Sequence, residues 1–555
     1  MPTITFSLQD LNKLVGRKLT IKQVENLVED GKGELKDYNK KLDEASVNFD
    51  DTNLPYLWSA EGIARLIKGV LGKQKGIPKF KVKEGKYKVI VDKNVKNIRP
   101  YIAAFVAKGH KIDDYLIRQM IQLQEKFCES YGRRREKVAI GVYSYEKIKF
   151  PVHYKATDPE SIEFIPLEYK RKMTQQEILE EHPKGKEYAW IFEGFKKYPI
   201  LVDHKNDVLS FPPIINSNWS GKIEPGDKDL LVEVTGTDED STNLAANIFA
   251  QALFDRGFEI YQTEIQYPDK KITCPYIFND KLKITQQQTR ELLGLNLTEP
   301  QIKNLLQKAQ YNYEAKGKDL IVHIPFYRKD IMHPYDVIED IAIAYGYQKI
   351  KPEPMKSYTT GETFEINQFI DLARETLIGL GYQETMSPIL SNKDALYTKM
   401  NMKELETIEI KEFMSERYSV VRTWLLPILM EVLSKNKHAE YPQKIFEEGM
   451  LTTRKKDYIK DIHRIAMVTC HTNANYTEAR QAFDFLMMVL GITDYTIKEA
   501  EHPSFIPGRV ARVYVKDQAV AYIGEIAPQV LTNWDITMPA AGFELNLTDL
   551  FEIIK

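Results

Sequence analysis

The spacing of apolar residues changes several times along the chain, which predicts a succession of α and β modules. Between 112 and 131, apolar residues recur three or four positions apart, as on one face of an α-helix. The segments 87–92 and 101–107 are short apolar or β-branched runs typical of strands. From residue 369 onward a helical pattern at 369–380 precedes further strand-like runs. The predicted fold class is therefore multidomain α+β.

Capping patterns mark the starts of three predicted helices. In each pattern a threonine precedes a glutamine by three positions, so the two side chains can satisfy free N–H groups of the first turn. The pairs are Thr20 and Gln23, Thr285 and Gln288, and Thr298 and Gln301. The second and third helices are followed by two strand-like runs around a turn at 316–318. Two short helices and a hairpin predict a winged-helix-like module, a shape often used on nucleic acid.

Two strand-like runs end in small polar residues and turn formers. The run 208–211 is followed by Pro212-Pro213, and the run 230–234 is followed by Thr235-Gly236-Thr237-Asp238. The ends of these runs could line one pocket, or they could be an ordinary pair of β-turns. The residues alone leave both interpretations open.

An acidic cluster follows at the start of another predicted helix, where Pro334 suits the first helical position. Asp336, Glu339 and Asp340 fall on one face of this helix, and Asp330 precedes it in the loop. Acids near a helix N-terminus favour the helix dipole. Carboxylates gathered in this way also suit Mg²⁺, which prefers oxygen ligands. Both explanations remain open from the chemistry of the residues.

Composition excludes several classes of protein. The 555 residues suggest three or four domains, and a formal net charge of −2 excludes a polycationic mode of nucleic-acid binding. The most apolar stretch, 424–433, is broken by Pro427 and Glu431, so no membrane span is predicted. The N-terminus lacks the pattern of a signal peptide, and three dispersed cysteines cannot form a disulfide framework. These features predict a cytoplasmic protein.

The common catalytic motifs are missing from the sequence. There is no phosphate-binding GxxxxGK[ST] loop, and HExxH, GxSxG and GxGxxG are also absent. The strongest basic cluster, Arg133-Arg134-Arg135, follows the helix predicted at 112–131. It is either a solvated helix end or a contact with RNA or an acidic partner.

Six collinear segments resemble the β subunits of phenylalanyl-tRNA synthetases of the archaeal and eukaryotic-cytosolic type. They are 51–62, 133–143, 211–217, 232–238, 328–347 and 422–427. The resemblance covers essentially the whole chain. It implies an α2β2 ligase that joins phenylalanine to tRNA(Phe) with ATP and Mg²⁺, with the synthetic active site on the α subunit.

The resemblance also implies a division into four modules. These are an N-terminal α/β structural module (1–85), a mixed editing domain (86–270), a winged-helix-like module with the acidic metal helix (271–352), and a degenerate class II synthetase-like antiparallel sheet module (353–555). The segment 540–545 lacks the glycine-rich, arginine-containing ATP motif of class II enzymes. Arg422 and Arg509 are accordingly interpreted as structural or interface residues.

By similarity, five residues are expected to line a site that hydrolyses mischarged Tyr-tRNA(Phe). They are Leu201, Ser210, Asn216, Glu233 and Thr235. A pocket built for phenylalanine rejects an added hydroxyl group poorly, so a second site has to remove tyrosine. Glu233 is expected to accept the tyrosine hydroxyl group, while Ser210, Asn216 and Thr235 orient the ester and a water molecule. None of the five looks like a strong general base, so the tRNA itself is expected to assist.

The four acidic residues match the spacing of the family's Mg²⁺ ligands, at relative positions 0, +6, +9 and +10. The expected ligands are Asp330, Asp336, Glu339 and Asp340. Two other function classes remain as alternatives: a non-catalytic tRNA-binding scaffold subunit and a free-standing class II ligase. Deacylation of Tyr-tRNA(Phe) would exclude the first. ATP–pyrophosphate exchange by the chain alone would support the second.

Overall fold

The computed structural model describes residues 2–455 and 458–555, which form two compact units, Met1–Glu353 and Pro354–Lys555. Both units mix helices with sheets, as the spacing of apolar residues predicts. No helix in the described ranges is long and apolar enough to cross a membrane.

The first unit begins with a three-stranded sheet of order β1-β3-β2 and three helices. Its elements are β1 (Thr3–Ser7), α1 (Leu8–Val15), α2 (Ile21–Val28), β2 (Gly33–Asn39), β3 (Glu44–Phe49) and α3 (Ala60–Val70). The capping pattern at Thr20 is confirmed, because the Thr20 and Gln23 side chains bond reciprocally to the backbone at the start of α2. Helix α3 is almost entirely buried, so this sheet and its helices continue into the core of the unit.

A ten-stranded sheet occupies the centre of the first unit, in the order β12-β11-β10-β7-β4-β14-β5-β13-β6 with β15 on β14. Its strands are β4 (Val82–Val91), β5 (Tyr101–Lys108), β6 (Val138–Ser144), β7 (Val152–Thr157), β10 (Tyr198–Val202), β11 (Val208–Phe211), β12 (Ile215–Asn216), β13 (Leu230–Gly236), β14 (Glu259–Gln266) and β15 (Lys271–Cys274). Around it lie α4 (Asp114–Glu129), β8 (Glu163–Phe164), β9 (Met173–Thr174), α5 (Gln175–Glu181), α6 (Pro183–Tyr188) and α7 (Glu239–Asp255). Helix α7 is buried along most of its length and packs on β5 and β13.

The arginine cluster is not the end of a helix, because α4 ends at Glu129. Arg133, Arg134 and Arg135 have φ angles of 51°, 52° and 66°, and together form a left-handed turn. The backbone N–H of Arg135 donates to the carbonyl oxygen of Cys128 at 3.0 Å, which folds the turn back onto α4. This turn leads directly into β6.

The last part of the first unit has two short helices, a hairpin and a third helix, as predicted. The elements are β16 (Lys281–Thr285), α8 (Gln286–Leu293), α9 (Glu299–Lys308), β17 (Asn312–Lys316), β18 (Asp319–His323) and α10 (Pro334–Tyr345). The sheet has the order β16-β18-β17. Thr298 and Gln301 form the predicted capping box, whereas Thr285 caps α8 through its own hydroxyl group only. Helix α10 begins at Pro334, as its sequence predicts.

In the part of the chain that the structure describes, the second unit is built on a seven-stranded sheet of order β19-β22-β23-β27-β26-β25-β24. The sheet is antiparallel except for the pair β19 and β22. Its elements are α11 (Glu365–Gly379), β19 (Gln383–Glu384), β20 (Leu390–Ser391), β21 (Val420–Val421), α12 (Leu426–Lys435), β22 (Gln443–Lys455), β23 (Tyr458–Cys470), α13 (Tyr476–Val489), β24 (Thr496–Glu499), β25 (Phe505–Val515), β26 (Gln518–Ile526), α14 (Pro528–Asn533), β27 (Ala540–Asn546) and α15 (Leu547–Ile554). Two apolar cores cover it, one with α11, α13 and α15 and the other with α12 and α14.

Candidate active site

The ten-stranded sheet is curved so strongly that its two ends contact each other. Strand β6 lies at one end of the strand order and β12 at the other. Even so, the side-chain amide of Asn216 on β12 donates to the carbonyl oxygen of Val142 on β6, at 3.5 Å. The backbone N–H of Ser144 donates to the carbonyl oxygen of Ser220 at 3.0 Å. This closure brings segments together that are far apart in the chain.

A cavity of about 590 Å³ lies beside this closure. Four of the five residues predicted for the editing site line it, namely Ser210, Asn216, Glu233 and Thr235. The ends of β11 and β13 therefore line one pocket, which excludes the alternative of two unrelated β-turns. Leu201 does not line the cavity. It lies behind the lining residues, since it is 1% exposed and pairs with Ser210 across β10 and β11.

Glu233 is the one carboxylate among the predicted editing residues, and it is 3% exposed on β13, which pairs with β5 and β6. Burial raises the pKa of its carboxyl group to about 7, although the hydrogen bond from Tyr143 and the charge of Arg99 lower it. One carboxyl oxygen, Oε1, lies 2.8 Å from the Tyr143 hydroxyl group. The other, Oε2, is buried and has no hydrogen-bond partner among the described residues. A buried oxygen without a partner is unfavourable, so Oε2 is suited to accept a hydrogen bond from a ligand.

Thr235 is held by Arg99, which is 1% exposed. The Nε of Arg99 donates to the Thr235 hydroxyl oxygen at 3.0 Å, and Nη2 donates to the Thr235 carbonyl oxygen at 2.7 Å. Nη1 donates to the carbonyl oxygen of Glu136 at 2.9 Å. Because Thr235 accepts from Arg99, its own hydroxyl proton is left for another acceptor. Glu233 and Thr235 are two positions apart on β13, so both side chains point to the same face.

Tyr143 is a member of this cluster that sequence reasoning missed as a site residue. Its side chain is fully buried on β6, and its hydroxyl oxygen lies 2.8 Å from Ser210 Oγ and 3.4 Å from Asn216 Oδ1. With the contact to Glu233, this hydroxyl group touches three of the predicted residues. The sequence signal was the position of Tyr143 at the end of the segment 133–143, whose sequence resembles the family, but this resemblance does not reveal the residues that Tyr143 contacts.

Arg135 closes the cavity on the side of the arginine turn. Its Nη1 donates to the carbonyl oxygens of Pro213 and Ile214, at 3.3 Å and 3.0 Å. Its guanidinium carbon lies 4.4 Å from the centre of the Tyr188 ring. Three lysines also line the cavity, namely Lys170, Lys184 and Lys222. Glu125 and Glu168 line the cavity as well, and Lys184 and Lys222 pair with Glu187 and Glu224, so the lining carries charges of both signs.

The four acidic residues predicted to bind Mg²⁺ line a second cavity in the first unit, of about 330 Å³. Asp340 accepts from Arg328 Nη1 at 2.7 Å, and Asp330 also pairs with the Arg328 guanidinium group. Asp336 accepts from the backbone N–H groups of Met332 and His333 at 2.8 Å and 2.7 Å, so it caps α10. Glu339 lies 3.2 Å from Lys32 Nζ.

These contacts do not form a metal coordination sphere. Across residues 2–455 and 458–555, no three histidine, cysteine, aspartate or glutamate side chains are close enough together to hold one ion. A guanidinium group, that of Arg328, occupies the space between Asp330 and Asp340. The residues as placed therefore do not fit the ion, and the magnesium site stays a prediction.

In the second unit, Arg422 points into the protein interior. Its Nη1 lies 2.5 Å from Glu447 Oε1, and the two side chains are 3% and 1% exposed. Nearby, Glu544 accepts from the backbone N–H groups of Leu425 and Leu426 at 2.9 Å and 3.0 Å. Arg509 is more exposed and pairs with Glu525 at 2.6 Å. Each of these arginines is engaged by a carboxylate of the chain itself.

Comparison with known proteins relates both units to one family. A family model described as "Phenylalanyl tRNA synthetase beta chain CLM domain" matches residues 350–547, and one described as "tRNA synthetase B5 domain" matches residues 282–347. The phenylalanine–tRNA ligase beta subunit of Pyrococcus horikoshii is 41% identical over 557 residues, which cover 99% of this chain and all of that protein. The beta subunit of Pyrococcus furiosus is 42% identical over 558 residues, with the same coverage.

A solved structure supports the fold of the first unit. The crystal structure of an N-terminal fragment of the phenylalanyl-tRNA synthetase beta subunit from Pyrococcus horikoshii superimposes with a TM-score of 0.61 at 41% sequence identity. The alignment covers 62% of this chain and all of that fragment. With full-length relatives at about 40% identity, the chain belongs to the family of phenylalanine–tRNA ligase beta subunits.

Proposed function

We propose that this chain is the β subunit of an α2β2 phenylalanine–tRNA ligase and that it hydrolyses mischarged Tyr-tRNA(Phe) in the cavity beside the sheet closure. The ligase charges tRNA(Phe) with phenylalanine at the expense of ATP, and the α subunit carries that reaction. The engaged arginines of the second unit support this division, because Arg422 is paired inside the protein. The chain contributes assembly and tRNA binding in the cytoplasm. Its second unit is the degenerate synthetase-like module. The winged-helix-like module expected at 271–352 starts at β16 (Lys281–Thr285), because β15 (Lys271–Cys274) pairs with β14 in the ten-stranded sheet.

The unpartnered oxygen of Glu233 carries the editing proposal. A phenol hydroxyl group can donate to Glu233 Oε2 and accept from the Thr235 hydroxyl group at the same time. Phenylalanine has no such group and leaves both partners unsatisfied in a buried site. A site built to bond a hydroxyl group rejects the analogue that lacks it far more strongly than an apolar pocket can.

Burial sets the orientation of the substrate in the cavity. Glu233 and Ser210 are 3% and 1% exposed, whereas Asn216 is only half-buried. The phenol ring therefore enters first, and the ester lies near Asn216. The lysines and Arg135 at the rim face the RNA, where phosphate groups favour cations. Ser210 contacts Tyr143 at the deep end, which favours a role beside the phenol rather than beside the ester.

The test is hydrolysis of preformed Tyr-tRNA(Phe) by the tetramer. Glu233→Ala and Asn216→Ala are each expected to slow hydrolysis by about tenfold or more, since each loses a buried or substrate-facing hydrogen bond of about 1.5–3 kcal/mol. Phenylalanine charging in the same preparations should stay within about twofold of the wild-type rate, because the synthetic site is proposed to lie on the α subunit and not in this cavity. Equal loss of both activities would contradict a separate editing site. Absence of hydrolysis in the wild-type tetramer would favour the non-catalytic scaffold.

A further inference from the structure

The hydroxyl group of Tyr143 joins the two ends of the ten-stranded sheet at the editing cavity. It lies on β6, at one end of the sheet, and contacts Ser210 on β11 and Asn216 on β12, at the other end. Its third contact, with Glu233, is on β13, the neighbour of β6. The Tyr143 side chain is 0% exposed, so it acts from behind the cavity wall.

Counting protons at this hydroxyl group determines what it does to Glu233. Tyr143 has one proton to donate, whereas the Ser210 hydroxyl group can donate in turn to the Tyr143 oxygen. When Glu233 is ionised its carboxylate only accepts, so the contact of 2.8 Å between Tyr143 and Glu233 Oε1 is then a donation by Tyr143. Oε1 is thereby satisfied, and Oε2 is the carboxyl oxygen that remains without a partner among the described residues.

The chain leaves space for this contact at Gly141, which lies opposite Glu233 in the pairing of β6 and β13. A Cβ atom at position 141 would lie 2.4 Å from the Tyr143 hydroxyl oxygen and 2.7 Å from Glu233 Oε1. Both distances are too short for non-bonded atoms, so a side chain here would force the two groups apart.

We propose that Tyr143 is a positioning residue of the editing site: by bonding Glu233 Oε1, it fixes the carboxylate so that Oε2 alone is offered to the hydroxyl group of the substrate. This inference rests on the proposed editing function and adds the residue that controls its specificity. Tyr143 does not touch the substrate and acts through Glu233.

The pH dependence of the site distinguishes this role from simple structural support. The titratable and charged groups that face Glu233 are Tyr143, Arg99 and Tyr154. Burial raises the pKa of Glu233 to about 7, and the hydrogen bond from Tyr143 lowers it. Loss of that donor therefore raises the pKa further, because the hydrogen bond favours the charged form.

The experiment compares Tyr143→Phe with wild-type tetramer between pH 5.5 and 8.5. If the pKa of Glu233 rises by about one unit, the carboxylate fraction at pH 7 falls from about a half to about a tenth, and hydrolysis of Tyr-tRNA(Phe) slows about fivefold. Near pH 8.5 the two rates should converge after subtraction of spontaneous hydrolysis. Tyr267→Phe is the matched control, since within the described residues the Tyr267 hydroxyl group bonds only the backbone of Ile102, at 3.0 Å. Its pH profile should equal that of the wild type.

A second readout does not depend on hydrolysis. Infrared pH-difference spectra report the carboxyl group of Glu233 directly, with Glu233→Gln identifying its band. Tyr143→Phe and Gly141→Ala should both raise the midpoint of this band. An unchanged midpoint and an unchanged pH profile in Tyr143→Phe would overturn the proposal. A shifted midpoint in a tetramer that hydrolyses no Tyr-tRNA(Phe) would instead sustain the positioning role and refute the editing function.

Discussion

At the scale of single residues, the editing cavity depends on two buried side chains that each fix a second side chain by hydrogen bonds. Arg99 holds Thr235 by its hydroxyl oxygen, and Tyr143 holds Glu233 by one carboxyl oxygen. In each case the remaining donor or acceptor is left for a ligand. Burial makes these arrangements selective, because an unmatched polar group inside a protein is costly.

Glu233 is expected to make the stability of the first unit depend on pH. Its folded-state pKa of about 7 lies above the ordinary value of 4.5, mainly because of burial. As the pH rises from 4.5 to 7 the unfolded chain releases this proton while the folded chain retains it, so stability falls by about 3 kcal/mol. Glu233→Gln should remove this part of the pH dependence. Urea unfolding of both proteins at pH 4.5, 6 and 7.5 measures the difference, and parallel curves would contradict the buried carboxyl group.

At the scale of elements, the start of α10 carries both the cap of the helix and the acidic residues predicted to bind Mg²⁺. Pro334 occupies the first helical position, as the sequence predicts, and Asp336 forms a cap that the sequence analysis did not predict. The remaining acids of the cluster pair with Arg328 and Lys32 in this structure. The start of α10 is thus stabilised without a metal ion. The four carboxylates nevertheless line one cavity.

The predicted magnesium site can be tested by metal analysis of the purified tetramer. If the four carboxylates hold Mg²⁺ in the tetramer in place of their pairing with Arg328 and Lys32, Glu339→Ala alone, and together with Asp336→Ala, should lower the Mg²⁺ content, because the site then loses one or two oxygen ligands. The single variant leaves the helix cap intact, whereas the double variant also loses about 1 kcal/mol of capping. Glu299→Ala is the control, since this acid lies in the first turn of α9 and pairs with Lys303 at 2.5 Å. Unchanged metal content in both test variants would refute the assignment.

At the scale of the whole molecule, the closure of the ten-stranded sheet creates the site. Strands from residues 138–144 and 208–216 come from opposite ends of the sheet and meet at the cavity. Arg135 supports the same closure from its left-handed turn by bonding Pro213 and Ile214. The arginine cluster thus supplies a contact inside the protein as well as charge at its surface.

Arg135→Ala is expected to loosen this closure. It removes charge-assisted hydrogen bonds of about 1.5–3 kcal/mol, so local opening of β11 should become easier by that amount. Arg134→Ala is a close control, because Arg134 has a similar φ and also lies over an aromatic ring, that of Trp190. Native-state hydrogen exchange of the β11 amides measures the opening free energy. Equal protection in the two variants would mean that Arg135 does not support the closure.

The sequence by itself determined the local structure and the family. The capping boxes at Thr20 and Thr298, the start of α10 at Pro334 and the strand-like runs at 101–107 and 208–211 are set by residues close together in the chain, so their pattern could be read directly. The third predicted box, at Thr285, forms only half of its hydrogen bonds. The resemblance located Ser210, Asn216, Glu233 and Thr235, which line one cavity.

The tertiary structure alone decided which distant groups meet. Arg135 and Tyr143 lie in the segment 133–143, whose sequence resembles the family, but no local pattern shows that they contact the residues of β11–β13. Their contacts, and that of Arg99 with Thr235, depend on the curvature of the whole sheet. The raised pKa of Glu233 likewise follows from burial, which no single segment encodes. Local patterns determine helices and strands because the contacts that form these elements join residues close together in the sequence. A closed sheet is fixed by the packing of all its strands together.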